Sequence, residues 1–294
     1  MAGLESARTA VKAEAVTSLK AEYPLQALLD VAGLARSTYF YHQAKRDQPD
    51  PQSDLKAAIT EAFEAAHGRY GHRRIHTVLI KQGWKVAKKT VLKLMRVVGL
   101  RCKVRRRRCY TSFHGEVGMI ADNVLNRDFT ATAPNQKWVT DVTEFRIADR
   151  KVYLSPVIDL FDRSVVAYAW SLSPNLELTN TSLHRAIVTL QPGQCPLVHS
   201  DQGFQYQHRS WRALLESVTA SQSMSRKANC YDNAVAENFF GHLKSELFHH
   251  NRFDTIESFT TALDEYIHWY NNDRISTKLE GLSPVQYRAQ ALAA

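Results

Sequence analysis

The chain of 294 residues carries 38 Lys and Arg against 29 Asp and Glu, a formal net charge of +9. Its length allows two or three compact domains, each with its own core. No stretch approaches the roughly 18 unbroken apolar residues that a membrane-spanning helix needs. The N-terminus lacks the apolar run of a secretory signal, and four cysteines without such a signal indicate reduced thiols. We therefore expect a cytoplasmic protein with no membrane partner.

The positive charge is confined to the N-terminal part of the chain. Residues 1–120 contain 22 Lys and Arg against 10 Asp and Glu, a net of +12, whereas residues 121–294 contain 16 against 19, a net of −3. The segment from Lys81 to Arg108 has twelve basic residues and no acidic one. Such a segment repels itself unless an anionic partner is near, and each phosphate that it neutralises releases counterions. The charge pattern therefore favours a nucleic acid partner over a solvated basic face or a localisation signal.

Residues 25–42 show the pattern of two short helices joined by a tight turn. Leucines recur at helical spacing in the first helix, Gly33 supplies the turn, and Ser37 and Thr38 are expected to cap the second helix. The pattern is similar to a helix-turn-helix, in which the second helix enters the major groove of DNA. We assign residues 1–45 to a helix-turn-helix-like segment.

Helical patterns resume after a polar linker at residues 45–53, which contains two prolines. Three apolar stripes at helical spacing follow, and Gly83 and Gly99 stand where helices are expected to end. We assign residues 54–110 to a basic, all-helical DNA-binding domain. The side chains expected to contact DNA there are Lys88, Lys89, Arg105, Arg106, Arg107 and Arg108.

The periodicity changes to that of β-strands after residue 136. An alternating pattern rich in β-branched residues predicts three consecutive strands joined as hairpins, at residues 138–145, 152–159 and 165–170. The pattern then predicts a helix, a strand, a helix, a fifth strand and two further helices. This order predicts an α/β domain over residues 130–290, with a mixed five-stranded sheet flanked by helices.

Three acidic residues of this domain call for an explanation. Asp141 lies within the first predicted strand, and Asp201 follows the fourth, at the sheet edge where ligands bind in open α/β folds. Glu237 shares one face of a later helix with Asn233 and Lys244. Three converging carboxylates repel one another unless cations neutralise them, and hard divalent ions with oxygen ligands, Mg²⁺ or Mn²⁺, suit such a site. A pair of these ions activates a water or a 3′-hydroxyl for attack on a phosphodiester.

Spacing and local sequence together resemble a known family. Thirty-five residues separate Asp201 from Glu237, as in the D,D-35-E pattern of retroviral integrases and related transposases, and Lys244 follows on the same helix. The segments WVTDVTEF, HSDQG, SRKANCYDNAVAENFFGHLKSE and YNNDRISTKLEGLSPVQYR resemble the second reading frame (OrfB) of insertion-sequence-3 family transposases. HGRYGHRRI resembles the helix-turn-helix insert of that family. The resemblance extends from about residue 25 to residue 290.

The resemblance implies an RNase H-like core that cleaves DNA strands and transfers them with two Mg²⁺ or Mn²⁺ ions. It implies Asp141, Asp201 and Glu237 as the catalytic metal ligands and Lys244 as a contact to the terminal DNA. Arg226 and Lys227, which precede a loop near the site, are expected as further DNA contacts.

The partners implied by the resemblance are the terminal inverted repeats of the element, the target DNA, and other copies of the chain. A homodimer or higher oligomer is expected because two element ends are brought together. An upstream-frame (OrfA) protein is expected as a partner or fusion, in which case this chain, although it begins with its own Met, is one part of the active protein.

Two other classes of function remain open at this point. A non-catalytic DNA-binding regulator of transposition would use the basic half of the chain but has no use for three metal-binding carboxylates. A hydrolytic RNase H-like nuclease would share the fold and the ions, and only strand-transfer products distinguish it from a transposase.

Two other side-chain patterns are expected to have no catalytic or metal-binding role. His72 and His76 with Cys102 and Cys109 suggest zinc, but six residues separate the cysteines, whereas structural zinc sites have two to four. No zinc is expected. His199 lies two residues before Asp201, but two-metal chemistry does not require a protein base.

Overall fold

The protein is described here by a computed structural model covering residues 2–102, 120–226 and 230–293. The chain divides into two compact units, residues 1–61 and residues 62–294. Within the described ranges, no helix has the length and apolar character needed to cross a membrane. Five expected DNA contacts lie outside the described residues: Arg105, Arg106, Arg107, Arg108 and Lys227.

The first unit contains α1 (Ala2–Leu19), α2 (Leu25–Ala32) and α3 (Arg36–Asp47). As predicted, α2 ends at Gly33, which adopts a left-handed conformation (φ 58°), and the Leu34 N–H donates to the Leu29 carbonyl at 3.0 Å. The predicted hydroxyl caps at Ser37 and Thr38 are wrong. The extended backbone at Ala35 starts α3 earlier, so both hydroxyls lie inside its first turn.

The second helical group consists of α4 (Ser53–Ala65), α5 (His72–Lys81) and α6 (Lys88–Val97). The helices α5 and α6 pack against each other and bury one apolar face each. Both end as the sequence predicts, because Gly83 and Gly99 adopt positive φ angles of 89° and 76° directly after them.

The sheet contains β1 (Lys137–Thr140), β2 (Thr143–Ile147), β3 (Arg150–Asp159), β4 (Val165–Ser171), β5 (Leu197–Ser200) and β6 (Ser221–Met224). Both β1 and β2 pair antiparallel with β3, in one continuous register. They therefore form a single strand that is interrupted at residues 141 and 142. The interruption begins opposite Pro156, which has no N–H to donate to the ladder.

Counting the interrupted strand once gives the order β4–β3–β1/β2–β5–β6. The three predicted hairpin strands are antiparallel, while β5 and β6 run parallel to β1. The predicted mixed five-stranded sheet is therefore confirmed, and it is the RNase H-like arrangement that the family resemblance implies.

Helices cover both faces of the sheet. They are α7 (Leu176–Ile187), α8 (Phe204–Gln207), α9 (Arg209–Glu216), α10 (Ala234–Leu243), α11 (Ile256–Asn272) and α12 (Pro284–Ala293). A π-helical turn at Lys244–Phe248 continues α10, and short 3₁₀ turns lie at Cys230–Asn233 and Thr277–Leu279. Alternation along β1 sends Trp138 to the core under α7 and α9, and Val139 to the core under α10 and α11.

A buried polar cluster joins α5 to the C-terminal part of the second unit. Glu246, in the π-helical turn, accepts two hydrogen bonds from Arg274 (2.8 and 2.7 Å) and one from the Tyr266 hydroxyl (2.9 Å). Arg74 of α5 lies 3.5 Å from the same carboxylate. Burial alone would raise the pKa of Glu246, but the hydrogen bonds and charge of Arg274 lower it below its usual value. We call this set the Glu246 cluster.

A second buried ion cluster fixes α12 to the turn between β3 and β4. Arg288 donates to the fully buried carboxylates of Asp159 (2.9 Å) and Asp162, and to the Ser164 hydroxyl (3.1 Å). Backbone N–H groups of Asn135, Phe161 and Ser164 complete the shells of the two carboxylates. Because charges are costly to bury without partners, the two aspartates in the β3–β4 turn depend on Arg288 as their counter-ion.

Removal of this counter-ion tests its contribution to stability. We expect Arg288→Met to lower the free energy of unfolding by about 3–5 kcal/mol, because two buried carboxylates lose their cation. Urea unfolding followed by circular dichroism measures the change. The exposed Arg150→Met is the matched control and should change stability by less than about 0.5 kcal/mol. Equal stability of Arg288→Met and Arg150→Met would contradict the role assigned to Arg288.

Candidate active site

The parallel pairing of β1 with β5 places two of the predicted acids side by side. Val139 pairs with His199, and the same register continued two residues further brings Asp141 next to Asp201. Neighbouring strands lie about 4.8 Å apart. Asp141 follows directly after β1, at the strand interruption, so its predicted mid-strand position is corrected to a strand end. Asp141 thus lies at the carboxyl end of β1, where the strand is interrupted, and Asp201 at the carboxyl end of β5.

Each aspartate accepts a hydrogen bond from the backbone that follows it. Asp141 Oδ1 accepts the Val142 N–H at 2.7 Å, and Asp201 Oδ1 accepts the Gly203 N–H at 2.9 Å. A Cβ atom at Gly203 would lie 2.9 Å from Asp201 Oδ1 and 2.7 Å from Gln205 Oε1. A side chain at residue 203 would therefore displace the Asp201 carboxylate or the Gln205 amide, and each aspartate has a second oxygen with which it could bind a ligand.

The helix α10 brings the third acid to the same edge. Asn233, the residue before α10, donates from Nδ2 to the carbonyl of Thr140 at 3.4 Å and so ties the start of the helix to the end of β1. Burial raises the pKa of Asp141 well above its usual value, and the negative charges of Asp201 and Glu237 raise it further. The Val142 N–H and the charge of Lys244 act in the opposite direction.

The three carboxylates are electrostatically coupled but are not yet gathered around one point. Within residues 2–102, 120–226 and 230–293, no three His, Cys, Asp or Glu side chains already form a group that could enclose a metal ion. The donor chemistry nevertheless fits hard divalent cations, because all three groups supply oxygen and their mutual repulsion leaves negative charge uncompensated.

Lys244 lies at the edge of this site, as expected from its place on the helix. Its Nζ is 5.4 Å from the ring centroid of Phe145, and the side chain is half-buried. Burial lowers the pKa of Lys244, while the charges of Glu144 and Asp141 raise it. The structure thus places one cation next to the acidic site, and its contact with DNA stays a prediction.

Tyr206 is a site residue that the sequence analysis did not identify. It is 1% exposed, and its hydroxyl lies near the buried hydroxyls of Thr140 and Ser155 but outside hydrogen-bond geometry. Burial raises the pKa of Tyr206, and the charges of Asp141 and Asp201 raise it further. Tyr206 is therefore a buried neighbour of the two aspartates that belongs to the core containing Trp138 and Trp211. Its position three residues after the segment HSDQG is the signal that could have pointed to it.

His199 is part of the sheet and not a base. The side chain is fully buried, with Nδ1 2.8 Å from the Ser223 hydroxyl and Nε2 3.1 Å from the Ser225 hydroxyl. Burial lowers the pKa of His199 to about 4, so the ring is neutral at physiological pH. It holds β5 to β6 next to the aspartates.

Arg226, an expected DNA contact, lies in an ion pair. Its backbone N–H and guanidinium donate to Asp232 at 2.9–3.0 Å, and Arg127 and Asn123 donate to the same buried carboxylate. The hydrogen bond from Arg226 is the main cause that lowers the pKa of Asp232. Since Asp232 immediately precedes Asn233, this cluster fixes the start of the helix that carries Glu237. Half of the Arg226 side chain stays exposed, and its contact with DNA stays a prediction.

The basic helical region presents its lysines to solvent. Lys88 and Lys89 are exposed in the first turn of α6. Nε2 of His76 lies 3.0 Å from the carbonyl of Val86, so one ring nitrogen has a protein partner. Cys102 is a free thiol, and Cys109 lies outside the described residues.

Comparison with known families and proteins agrees with this geometry. A model described as integrase core domain matches residues 131–230, another of the same description matches residues 237–292, and an HTH-like domain model matches residues 51–108. The chain is 46% identical over 275 residues to the putative transposase InsK for insertion sequence element IS150 of Escherichia coli (strain K12), covering 94% of this chain and 97% of the relative. The chain belongs to the insertion-sequence-3 family of transposases.

More distant relatives are members of the same family. The chain is 33% identical over 281 residues to transposase InsF for insertion sequence IS3A of Escherichia coli (strain K12), with 93% of this chain and 97% of the relative covered. The predicted family, fold class and type of enzyme of this insertion-sequence-3 family transposase are thereby confirmed. The boundaries of its domains stay predictions.

Comparison with solved structures finds chains of low sequence identity to this transposase. The simian T-cell lymphotropic virus intasome in complex with PP2A regulatory subunit B56 gamma has a chain that is 17% identical, with a TM-score of 0.48 and 78% and 74% of the two chains covered. The HTLV-2 integrase catalytic core domain in complex with magnesium is 18% identical, with a TM-score of 0.43 and 53% and 97% covered.

The raised pKa of Asp141 gives a test that needs no DNA substrate. Its carboxyl binds a proton more tightly in the folded than in the unfolded chain, so its ionisation costs stability as pH rises through the folded pKa. We expect Asp141→Asn to raise the free energy of unfolding of the metal-free protein at neutral pH and to flatten its decline with rising pH. Chemical unfolding in EDTA, measured from acidic to neutral pH, gives both the change in stability and its pH dependence. Asp149→Asn, on the exposed β2–β3 turn, is the control, and identical pH profiles for wild type and Asp141→Asn would refute the coupling.

Proposed function

We propose that this transposase cleaves the ends of its insertion sequence and joins the released 3′-hydroxyl to DNA by two-metal-ion chemistry. The observation that carries the proposal is the position of Asp141 and Asp201 at the ends of adjacent parallel strands, with the charge of Glu237 acting on Asp141. The separation of Asp201 and Glu237 by 35 residues supports the same assignment.

In this proposal, Asp141, Asp201 and Glu237 hold two Mg²⁺ or Mn²⁺ ions. Divalent ions bound there would lower the pKa of the attacking water or 3′-hydroxyl and neutralise charge on the leaving oxygen. The strand register fixes the two aspartates, whereas Glu237 is carried by a helix whose start is tied down by Asn233 and Asp232. His199 is not proposed as a base, because its pKa is lowered to about 4 and both ring nitrogens lie against serine hydroxyls.

The remaining basic residues are proposed to hold the DNA. Lys244 beside the carboxylates is suited to a phosphate of the terminal DNA, because its ammonium group is a compact point charge. Lys88 and Lys89 are suited to phosphates further along the duplex. The proposal also includes the half-exposed Arg226 and the residues outside the described ranges, namely Lys227, Arg105, Arg106, Arg107 and Arg108.

The proposed partners are the terminal inverted repeats, the target DNA and at least one further copy of the chain. The joining of two element ends requires two ends at once, which a dimer or higher oligomer provides. An OrfA-type upstream-frame protein is proposed as partner or fusion, and a cytoplasmic location follows from a chromosomal DNA substrate.

Loss of one metal-binding carboxylate tests the assignment of the site. We expect Asp201→Asn to reduce cleavage and joining by more than the roughly 100-fold that loss of an outer-shell metal partner costs. The assay uses duplexes carrying the terminal repeats that flank the coding sequence, in Mg²⁺, and resolves nicked from joined products. Asp149→Asn should keep full activity. Unchanged joining by Asp201→Asn would exclude this site, and nicking without joined products would show a nuclease.

The lysines of α6 give a separate test of DNA binding. We expect Lys88→Gln combined with Lys89→Gln to lower the slope of log affinity against log salt by up to about 2, because each phosphate contact contributes about 0.9. Fluorescence anisotropy with a labelled duplex measures the slope in EDTA. Arg252→Gln, whose side chain is 92% exposed, removes one charge elsewhere and serves as control. A double variant that keeps the wild-type slope would place the DNA on another surface.

A further inference from the structure

A pocket beside α10 is not part of the carboxylate site. Its volume is about 520 Å³, and it lies between α10, the β3–β4 turn, α5 and the segment after α11. Asn238 contributes to its wall and is the next residue after Glu237. Successive helical residues are rotated by about 100°, so the pocket and the acidic site use different faces of one helix.

The pocket wall is strongly basic. Among the described residues, no Asp or Glu lines the pocket. Four cationic side chains do: Arg74, Arg163, Arg274 and Lys278. The hydroxyl groups of Ser276 and Thr277 add further hydrogen-bond donors. We call this feature the cationic pocket.

Carboxylates behind the wall compensate only part of this charge. Glu246 is shared by Arg274 and, more distantly, by Arg74. Asp159 and Asp162 both lie near Arg163 and share Arg288 as their ion-pair partner, so they offset part of the charge of Arg163 as well. Lys278 is exposed and forms no ion pair within the part of the chain that the structure describes. The pocket therefore has a positive charge in excess of its local counter-ions.

Arg163 carries an unsatisfied donor at this pocket. Its Nη2 donates to the carbonyl of Phe129 at 2.7 Å, but its buried Nη1 has no hydrogen-bond partner among the described residues. The residue also adopts a positive φ of 67°, a conformation that is uncommon for a side chain of this size. An unpaired buried donor on a charged group is costly, and the chain retains Arg163 at the pocket wall in spite of that cost.

Burial acts on the pocket arginines in the same direction. Burial lowers the pKa of Arg163 and that of Arg74. The positive charge of Arg274 lowers the pKa of Arg74 further. Crowded and desolvated guanidinium groups are stabilised by an anion, and their planar forks match phosphate oxygens.

We propose that the cationic pocket binds a backbone phosphate of the DNA on which the carboxylates act. This inference rests on the proposed function, because it takes the DNA at Glu237 as its starting point. A phosphate in the pocket would lie one helix face away from that acid, within a few nucleotides of the reacting linkage. Free inorganic phosphate shares the same chemistry, and the experiment separates it from DNA.

The first arm of the test measures the electrostatic contribution of the pocket. Lys278→Gln and Asn238→Asp change exposed positions of the wall, and Arg150→Gln removes an exposed charge outside it. We expect Lys278→Gln to lower the slope of log affinity against log salt by about 0.9 for any duplex sequence, and Arg150→Gln to leave it unchanged. Asn238→Asp should weaken binding, because it adds a negative charge next to the phosphate.

The second arm assigns the contact to one phosphate. Duplexes in which single phosphates are replaced by uncharged methylphosphonates are bound to wild type and to Lys278→Gln. We expect one position at which the methylphosphonate weakens DNA binding by wild type. At that position it should weaken binding by Lys278→Gln only slightly, because the variant has already lost the contact. Additive effects at every position, or an unchanged salt slope in both pocket variants, would overturn the proposal.

The third arm uses inorganic phosphate at constant ionic strength. If phosphate raises the melting temperature of wild type but not of Lys278→Gln, while both have the same salt slope on DNA, the pocket is a free-phosphate site and the DNA assignment is wrong. All binding is measured in EDTA, so these results do not depend on catalysis. If the pocket variants bind DNA like wild type, the result of the Asp201→Asn assay is unaffected. If the assignment of the active site is wrong, only the joining assay shows it.

Discussion

Repulsion between carboxylates that the backbone does not allow to separate is the constraint around which this molecule is organised. The ladder between β1 and β5 fixes Asp141 beside Asp201, and buried cores on both sheet faces keep the strands from moving apart. Tyr206, which is 1% exposed, lies in the core next to the two aspartates. If a divalent cation binds there as proposed, it relieves this repulsion, which otherwise opposes folding at neutral pH.

The helix α10 links several of the features described above. Its start is held by Asp232 and Asn233, one face carries Glu237, and another lines the cationic pocket. Its end continues into a π-helical turn, an irregularity that is frequent at functional sites. That turn supplies Lys244 to the acidic site and Glu246 to the buried cluster. A change at any of these points therefore acts on the others through one rigid element.

Local patterns in the sequence were sufficient for the elements, and spacing was sufficient for the proposed site. Alternation predicted the three hairpin strands, and Gly83 and Gly99 predicted the ends of α5 and α6. What the sequence could not supply depends on which side chains meet after the elements pack. The break at Asp141 lies opposite Pro156, Arg226 is paired with Asp232, and Glu246 binds Arg274 from the segment after α11. Side-chain periodicity contains no information about such pairs, since each depends on how the elements pack.

The Glu246 cluster also bears on the order in which the protein is made. Tyr70 accepts a hydrogen bond from the N–H of Ile275, 205 residues later, and Arg74 reaches Glu246 across 172 residues. During synthesis the basic helices α5 and α6 therefore leave the ribosome long before their docking surface exists. Contacts of such high sequence separation form late in folding. A nascent or prematurely terminated chain thus presents its DNA-binding helices without a completed catalytic domain beside them.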